Sequence, residues 1–245
     1  MLDAKIVSAD LHALRSPRMA AAGVPHAFGT RHAAGTTGAL DLAVALDLEH
    51  ARLHTLTQVH GATVHRPAPL GEEPDGTPEA DALVSDREGD LLAVETADCV
   101  PVLVATADGA EVAAIHAGWR GLLAGVISET LGEMLERPKI AAIGPCLSAE
   151  RFEVSPDVAR QFEAAGWRGQ VLDDGVTRPR IDLRSVAREQ LRAAGVTAID
   201  VAAECTWEDE ALFFSHRRDV THGELERTGR HLAFIAPRPR NPALG

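Results

Sequence analysis

The chain has 245 residues, 45% of them hydrophobic and 24% charged, a composition that excludes a disordered chain and leaves ample length for a buried core. A formal net charge of -12 excludes the global positive field that would draw nucleic acid or an anionic membrane surface as partner. No stretch reaches the roughly 18 apolar residues of a membrane helix, and the opening MLDAKIVSADLHAL lacks a basic and then apolar leader, so a cytoplasmic location is expected.

Residues 20–42 are rich in Gly, Ala and Thr and read as strand followed by loop, with Phe28 to Arg31 at the strand end. In ARLHTLTQVHGATVHRP (51–67), alternation predicts a half-buried strand that carries Leu56, Gln58 and His60 on one face. The Pro- and Gly-rich acidic segment 67–79 reads as a surface loop. Four short β-rich runs follow, DALVSD, LLAVETADC, PVLVATAD and EVAAIHAG, each bounded by turn residues. They predict a sheet core.

From Trp119 the period changes. Trp119, Leu122, Leu123, Val126, Ile127, Thr130, Leu131, Met134 and Leu135 follow helical spacing until Pro138, which predicts one continuous helix. KIAAIGPCL reads as a strand, SPDVARQFEAAG and DLRSVAREQLRAAG as helices, and TAIDVAAECT and HLAFIAPR as closing strands. Strands come in clusters rather than in regular alternation with helices. The expected fold is therefore mixed α and β, a layered α/β/β/α sandwich with mixed sheets. No repeat or composition break marks a boundary, so a single domain over 1–245 is expected.

Three widely spaced cysteines, Cys99, Cys146 and Cys205, do not form a disulfide framework. Cys99 stands at the start of an apolar strand, while His60 and His116 stand at the ends of others, each beside Gly61, Asp98 or Gly118. Thiolate and imidazole are zinc ligands, and three protein ligands with a fourth open position describe a catalytic zinc. Separations of 39 and 17 residues are not those of a zinc finger, and by spacing alone a packed Cys and hydrogen-bonded histidines fit as well. The same residues would serve a metal-free hydrolase with Cys99 as nucleophile and a histidine as base. A structural zinc in a binding module would need a fourth ligand, for which His26, His32, His54 and His65 are available.

The wider pattern narrows these readings. TQVHG (57–61), ETADCVPVL (95–103), HAGWRG (116–121), IGPCLSAERFEV (143–154), FFSHRRD (213–219) and TGR (228–230) together resemble the laccase-domain family. That family is long labelled multicopper polyphenol oxidase, and its members are also called YfiH-type proteins and purine nucleoside phosphorylases. The resemblance implies one zinc per chain, held by His60, Cys99 and His116, which would also carry the catalysis. It implies phosphorolysis of adenosine, inosine, guanosine or methylthioadenosine, and hydrolytic deamination of adenosine. Purine nucleosides and phosphate are then the partners. Copper is the weaker expectation, because a multicopper oxidase needs several histidine-rich sites and this chain has no His-x-His pair.

Phosphate held against a ribose calls for guanidinium groups and a helix N-terminus. Arg120, at the start of the Trp119 helix, is the first candidate. Arg31 matches a family position near the pocket and is the second. Gln58 would offer its amide to a purine or ribose edge, and Asp98 would orient a ligand or shape the turn. Arg217, Arg218 and Arg230 would line an anion site or brace the fold, and Cys146 and Cys205 would be buried.

Overall fold

Continuous apolar runs, rather than alternation, build the centre of the molecule. In the computed structural model, which describes residues 3–8, 11–33, 41, 43, 44, 46, 48, 50–69, 71, 72 and 76–239, all seven residues of Val100–Thr106 are buried. Val100, Val102 and Val104 pack into one core cluster and Leu103 and Ala105 into another. A strand covered on both faces shows such a run, because each side chain leaves water whichever way it points.

The strands are β1 (Asp3–Ser8), β2 (Leu11–Arg15), β3 (His26–Gly29), β4 (Arg52–His54), β5 (Val64–His65), β6 (Ala82–Ser85), β7 (Asp90–Thr96), β8 (Val100–Thr106), β9 (Val112–Ala117), β10 (Lys139–Ile143), β11 (Val171–Leu172), β12 (Arg180–Ile181), β13 (Ala198–Val201) and β14 (His231–Ile235). One sheet has the order β1-β2-β3-β14-β7-β4 and a second the order β13-β10-β8-β9-β6-β5, with β11 and β12 as a separate pair. Both large sheets are mixed: β4 joins β7 in parallel, as β5 joins β6 and β13 joins β10, while the other neighbours are antiparallel. Phe28, Leu92, Val94 and Ile235 of the first sheet meet Leu83, Leu103 and Ala114 of the second. The second sheet's other face is covered by α2 (Trp119–Ala124), α3 (Val126–Glu133), α4 (Pro156–Ala164) and α5 (Leu183–Ala193), which follow the short α1 (Pro17–Ala21). Ala33, Ala43, Leu46 and Leu48 cover the outer face of the first sheet. This is the expected layered sandwich. α6 (His216–His222) caps one end of it.

Local chemistry explains the ends of several elements. Ser155 and Pro156 open α4, Asp182 caps α5 by accepting the Ser185 N–H, and Ser215 caps α6 by accepting the Arg218 N–H.

Two expectations need correction. The helix predicted from Trp119 to Leu135 is two helices, because Gly125 adopts a left-handed conformation (φ 85°) that closes α2 and begins α3. Apolar positions stay in step across the break, which is why the periodicity does not reveal it. The strand predicted through TQVHG is irregular: only a bridge between Thr57 and Glu79 remains, and His60 has φ 60°, a conformation no strand residue adopts. Gln58 and His60 therefore do not share a strand face. The loop predicted after Ala33 lies largely outside the described residues.

Candidate metal centre

His60, Cys99 and His116 converge despite their separation in sequence. Cys99 immediately precedes β8, and His116 is the penultimate residue of β9, its antiparallel neighbour, where Pro101 pairs with His116. His60 enters from the turn between β4 and β5. One ligand atom from each residue lies within 4.8 Å of the others, Cys99 Sγ is 4.0 Å from His60 Nε2, and the two imidazoles meet edge to face with centroids 4.8 Å apart. No other such cluster of metal-ligating groups occurs among the described residues.

Gly118 makes the convergence sterically possible. A β-carbon there would lie 3.0 Å from His60 Cδ2, 3.3 Å from Cys99 Sγ and 3.7 Å from His116 Cε1. The backbone of Gly118 is ordinary (φ -70°, ψ 165°), so its lack of a side chain, not its flexibility, is what the centre uses.

Asp81, fully buried at the head of β6, is the group that the sequence reading missed. Its Oδ1 accepts the His116 Nδ1–H at 2.7 Å and the His60 backbone N–H at 2.9 Å, and its Oδ2 accepts the Gly61 N–H at 2.6 Å. Burial alone would raise the Asp81 pKa, but the His116 hydrogen bond and the two amides outweigh it and hold the carboxyl below its usual range. His116 is drawn the other way: burial lowers its pKa, yet Asp81 and Cys99 raise it to about 9. For Cys99, burial raises the pKa, while hydrogen bonds from His116 and His60 bring it down to about 7. A thiol held near its anion beside two imidazoles suits a thiophilic divalent metal, which binds thiolate and not thiol. The donor set and the cradle at Gly118 both fit a metal ion.

Two lobes of a cleft meet at His60 and Cys99, and His116 lines the first of them. One lobe, of about 340 Å³, is lined by residues including Leu56, Gln58, Glu95, Thr96, His216 and Arg230. The other, of about 270 Å³, is walled by Trp119, Leu147, Phe152 and Leu183 with Asp98, Arg120 and Arg217. His60, Cys99 and His216 border both. His216 has no motif spacing to the ligands, and only the placement of α6 brings it in.

The other predicted site residues are placed as follows. Arg120 lines the second lobe, stacked over the Trp119 ring at 4.3 Å. The helix it opens has only six residues, so a long helix dipole does not back it. Gln58 lines the first lobe, but its amide is paired with the Glu95 backbone, donating to the carbonyl at 2.8 Å and accepting the N–H at 2.7 Å. Asp98 (φ 92°) accepts the Thr206 hydroxyl and the Arg217 N–H, each at 2.6 Å, and so braces the second lobe. Arg31 is not among the residues lining either lobe; it donates to the Glu210 carbonyl and stacks over Phe214. Arg218 is buried and donates to the carbonyls of Thr206, Trp207 and Phe213, a brace. Cys146 and Cys205 are buried, as expected.

Among the described residues no helix is long and apolar enough to cross a membrane. The family model described as multi-copper polyphenol oxidoreductase laccase matches residues 33–238. The chain is 39% identical over 184 residues to a Shigella flexneri protein named purine nucleoside phosphorylase YfiH, covering 74% of this chain and 72% of that one. It is 41% identical over 187 residues to a Deinococcus radiodurans protein named purine nucleoside phosphorylase, covering 74% and 68%. The crystal structure of YlmD from Geobacillus stearothermophilus superposes with a TM-score of 0.78 at 27% identity, covering 96% of this chain and 99% of that one. By its sequence match and its fold alike, the chain belongs to the multi-copper polyphenol oxidoreductase laccase family.

Proposed function

We propose that the protein is a zinc-dependent purine nucleoside phosphorylase that also deaminates adenosine, with adenosine, inosine, guanosine and methylthioadenosine as its substrate class. The observation that carries the reading is the convergence of His60, Cys99 and His116 in a cleft whose two lobes meet at His60 and Cys99 and differ in chemistry. The Trp119, Leu147, Phe152 and Leu183 walls suit a flat purine ring, with Arg120 beside them for phosphate, while Glu95, His216 and Arg230 suit ribose hydroxyls. Names of the similar proteins support the same substrate class.

Zinc is favoured over copper on the donors present. A multicopper oxidase needs several histidine-rich copper sites, and His60, Cys99 and His116 form the one cluster of metal-ligating groups among the described residues. Zinc bound by one cysteine and two histidines supplies Lewis acidity to water or a substrate oxygen.

The residues of the chain then divide the work. In phosphorolysis a phosphate oxygen bonds to ribose C1′ as the C1′–N9 bond breaks, and the purine leaves with the bonding electrons and takes up a proton. Arg120 holds an anionic group at the mouth of the apolar lobe, with its plane kept in place by Trp119. Arg230 offers a second cation in the other lobe. His216, bordering both, hydrogen-bonds the departing base. In deamination, water adds at purine C6 and ammonia departs, with the ring held in the same lobe. Gln58 and Asp98 shape the walls through the Glu95 and Arg217 backbone groups they hold, and Arg31 stands outside both lobes.

The test is elemental analysis of protein purified without added metal, combined with product analysis. About one zinc per chain, adenine and ribose 1-phosphate from adenosine with phosphate, and inosine from adenosine alone are expected. Copper in place of zinc, or no turnover of any purine nucleoside by zinc-loaded protein, overturns the reading.

A further inference from the structure

A fully buried carboxylate usually has an arginine or lysine beside it. Asp81 instead faces His116 Nδ1, the His60 N–H and the Gly61 N–H, and the Asp81 carbonyl accepts the His116 backbone N–H at 2.8 Å. Two consequences follow, one for each histidine.

An ionised carboxylate only accepts, so the proton of neutral His116 is fixed on Nδ1. The lone pair is left on Nε2, the ring nitrogen free to join Cys99 and His60 in the ligand cluster. For His60 the hold is on the backbone. A left-handed residue other than glycine costs about 1 kcal/mol or more, and at φ 60° His60 keeps that conformation while its own N–H and the next one both donate into the Asp81 carboxylate. The direction of the His60 ring is set by that turn.

We infer that Asp81 is the positioning residue for both histidine ligands, holding His116 in its Nδ1–H tautomer and His60 in its left-handed turn. The inference rests on the reading of the cluster as a metal centre and deepens it, since the ligand geometry then depends on one carboxylate that touches neither metal nor substrate.

Asp81→Asn is the discriminating variant. Asp81 Oδ1 serves both His116 Nδ1 and the His60 N–H while Oδ2 serves the Gly61 N–H, so the one amide oxygen of Asn cannot meet all three. The NH₂ of Asn faces either His116 Nδ1 and the His60 N–H, moving the ring proton onto Nε2 and loosening the turn, or the Gly61 N–H, loosening the turn alone. The measurements are zinc affinity of metal-stripped protein, by competition with a chelator of known affinity, and the His116 tautomer in metal-free protein at pH 10, above the His116 pKa of about 9, by ¹⁵N NMR of the imidazole. We expect wild type to show the Nδ1–H tautomer, and Asp81→Asn to bind zinc about 10- to 100-fold more weakly. Equal zinc affinity in the two proteins overturns the role of Asp81. An Nε2–H tautomer in wild type overturns it too, even if the variant fails to fold. Wild type that binds no zinc yet shows the Nδ1–H tautomer overturns the metal reading alone, and the assignment to Asp81 is then confined to holding the histidines.

Discussion

A β-carbon at position 118 would stand 3.0 Å from Cδ2 of His60, closer than nearly all real contacts of that kind. Gly118 and His60 thus occupy one space, and the ligand cluster exists because the glycine yields it. The backbone at Gly118 is open to any residue, so Gly118→Ala should fold, with a melting temperature near that of wild type, and lose at least tenfold in zinc affinity. Chelator competition checks the affinity. Unchanged zinc binding in a folded Gly118→Ala protein would show that the cradle has slack.

Removal of any one ligand should remove the metal and both activities together. His60→Ala, Cys99→Ala and His116→Ala are each expected to purify with less than a tenth of the wild-type zinc and to lose phosphorolysis and deamination by 10²-fold or more, a scale set by metal-centred catalysis. His60 is exposed and Cys99 partly so, so those two variants should keep the fold. Retention of either activity in a zinc-free variant sinks the shared-metal mechanism.

Arg120 should separate anion recognition from metal binding. Its guanidinium stacks on Trp119 and has no ion pair among the described residues, so Arg120→Ala disturbs little else. KM for phosphate is expected to rise about tenfold, worth about 1.4 kcal/mol, with zinc content unchanged. Steady-state kinetics at varied phosphate decides it, and an unaltered phosphate dependence would exclude the residue from that role.

Two buried histidines should make stability fall in mild acid. Burial lowers the pKa of His26 and of His231 from 6.5 to about 4. His26 Nε2 accepts the Ser16 N–H at 2.7 Å and His231 Nε2 the Phe214 N–H at 2.6 Å, bonds that a protonated ring cannot accept. The unfolded chain binds these protons near pH 6.5 and the folded one only near 4. Their stabilisation is therefore complete above about 6.5 and is lost as pH falls towards 4, by at most about 1.4 kcal/mol per pH unit for each. Urea unfolding at pH 7.5, 6.0 and 5.0 measures the slope. A flat profile would contradict the neutral burial of both rings.

The β6 to β9 core was legible in the sequence because residues such as Val102 and Leu103 belong to apolar runs with turns at each end, and burial on both faces leaves no other reading. Phase-matched apolar positions hid the break at Gly125, since a helix and a broken helix can present the same stripe. The alternation of Leu56, Gln58 and His60 was misleading for a different reason: in a loop tied down by side chains, spacing carries no direction. The grouping of His60, Cys99 and His116 was readable from residue type and motif. Asp81 was not, because a single acid before a buried strand has no signature until the fold shows which donors surround it. His216 likewise depends on where α6 docks.

The crossings between the sheets give the cluster another meaning. His60 lies on the path from β4 in the first sheet to β5 in the second, Cys99 lies between β7 and β8, which make the same passage, and His116 ends β9. An ion shared by these three rivets both crossings at one point, so it would clasp the hem of the sandwich as well as serve chemistry. Stripping it should leave the β8–β9 core closed while the 55–63 and 96–99 turns exchange amide hydrogens faster, a local fraying that adding zinc reverses.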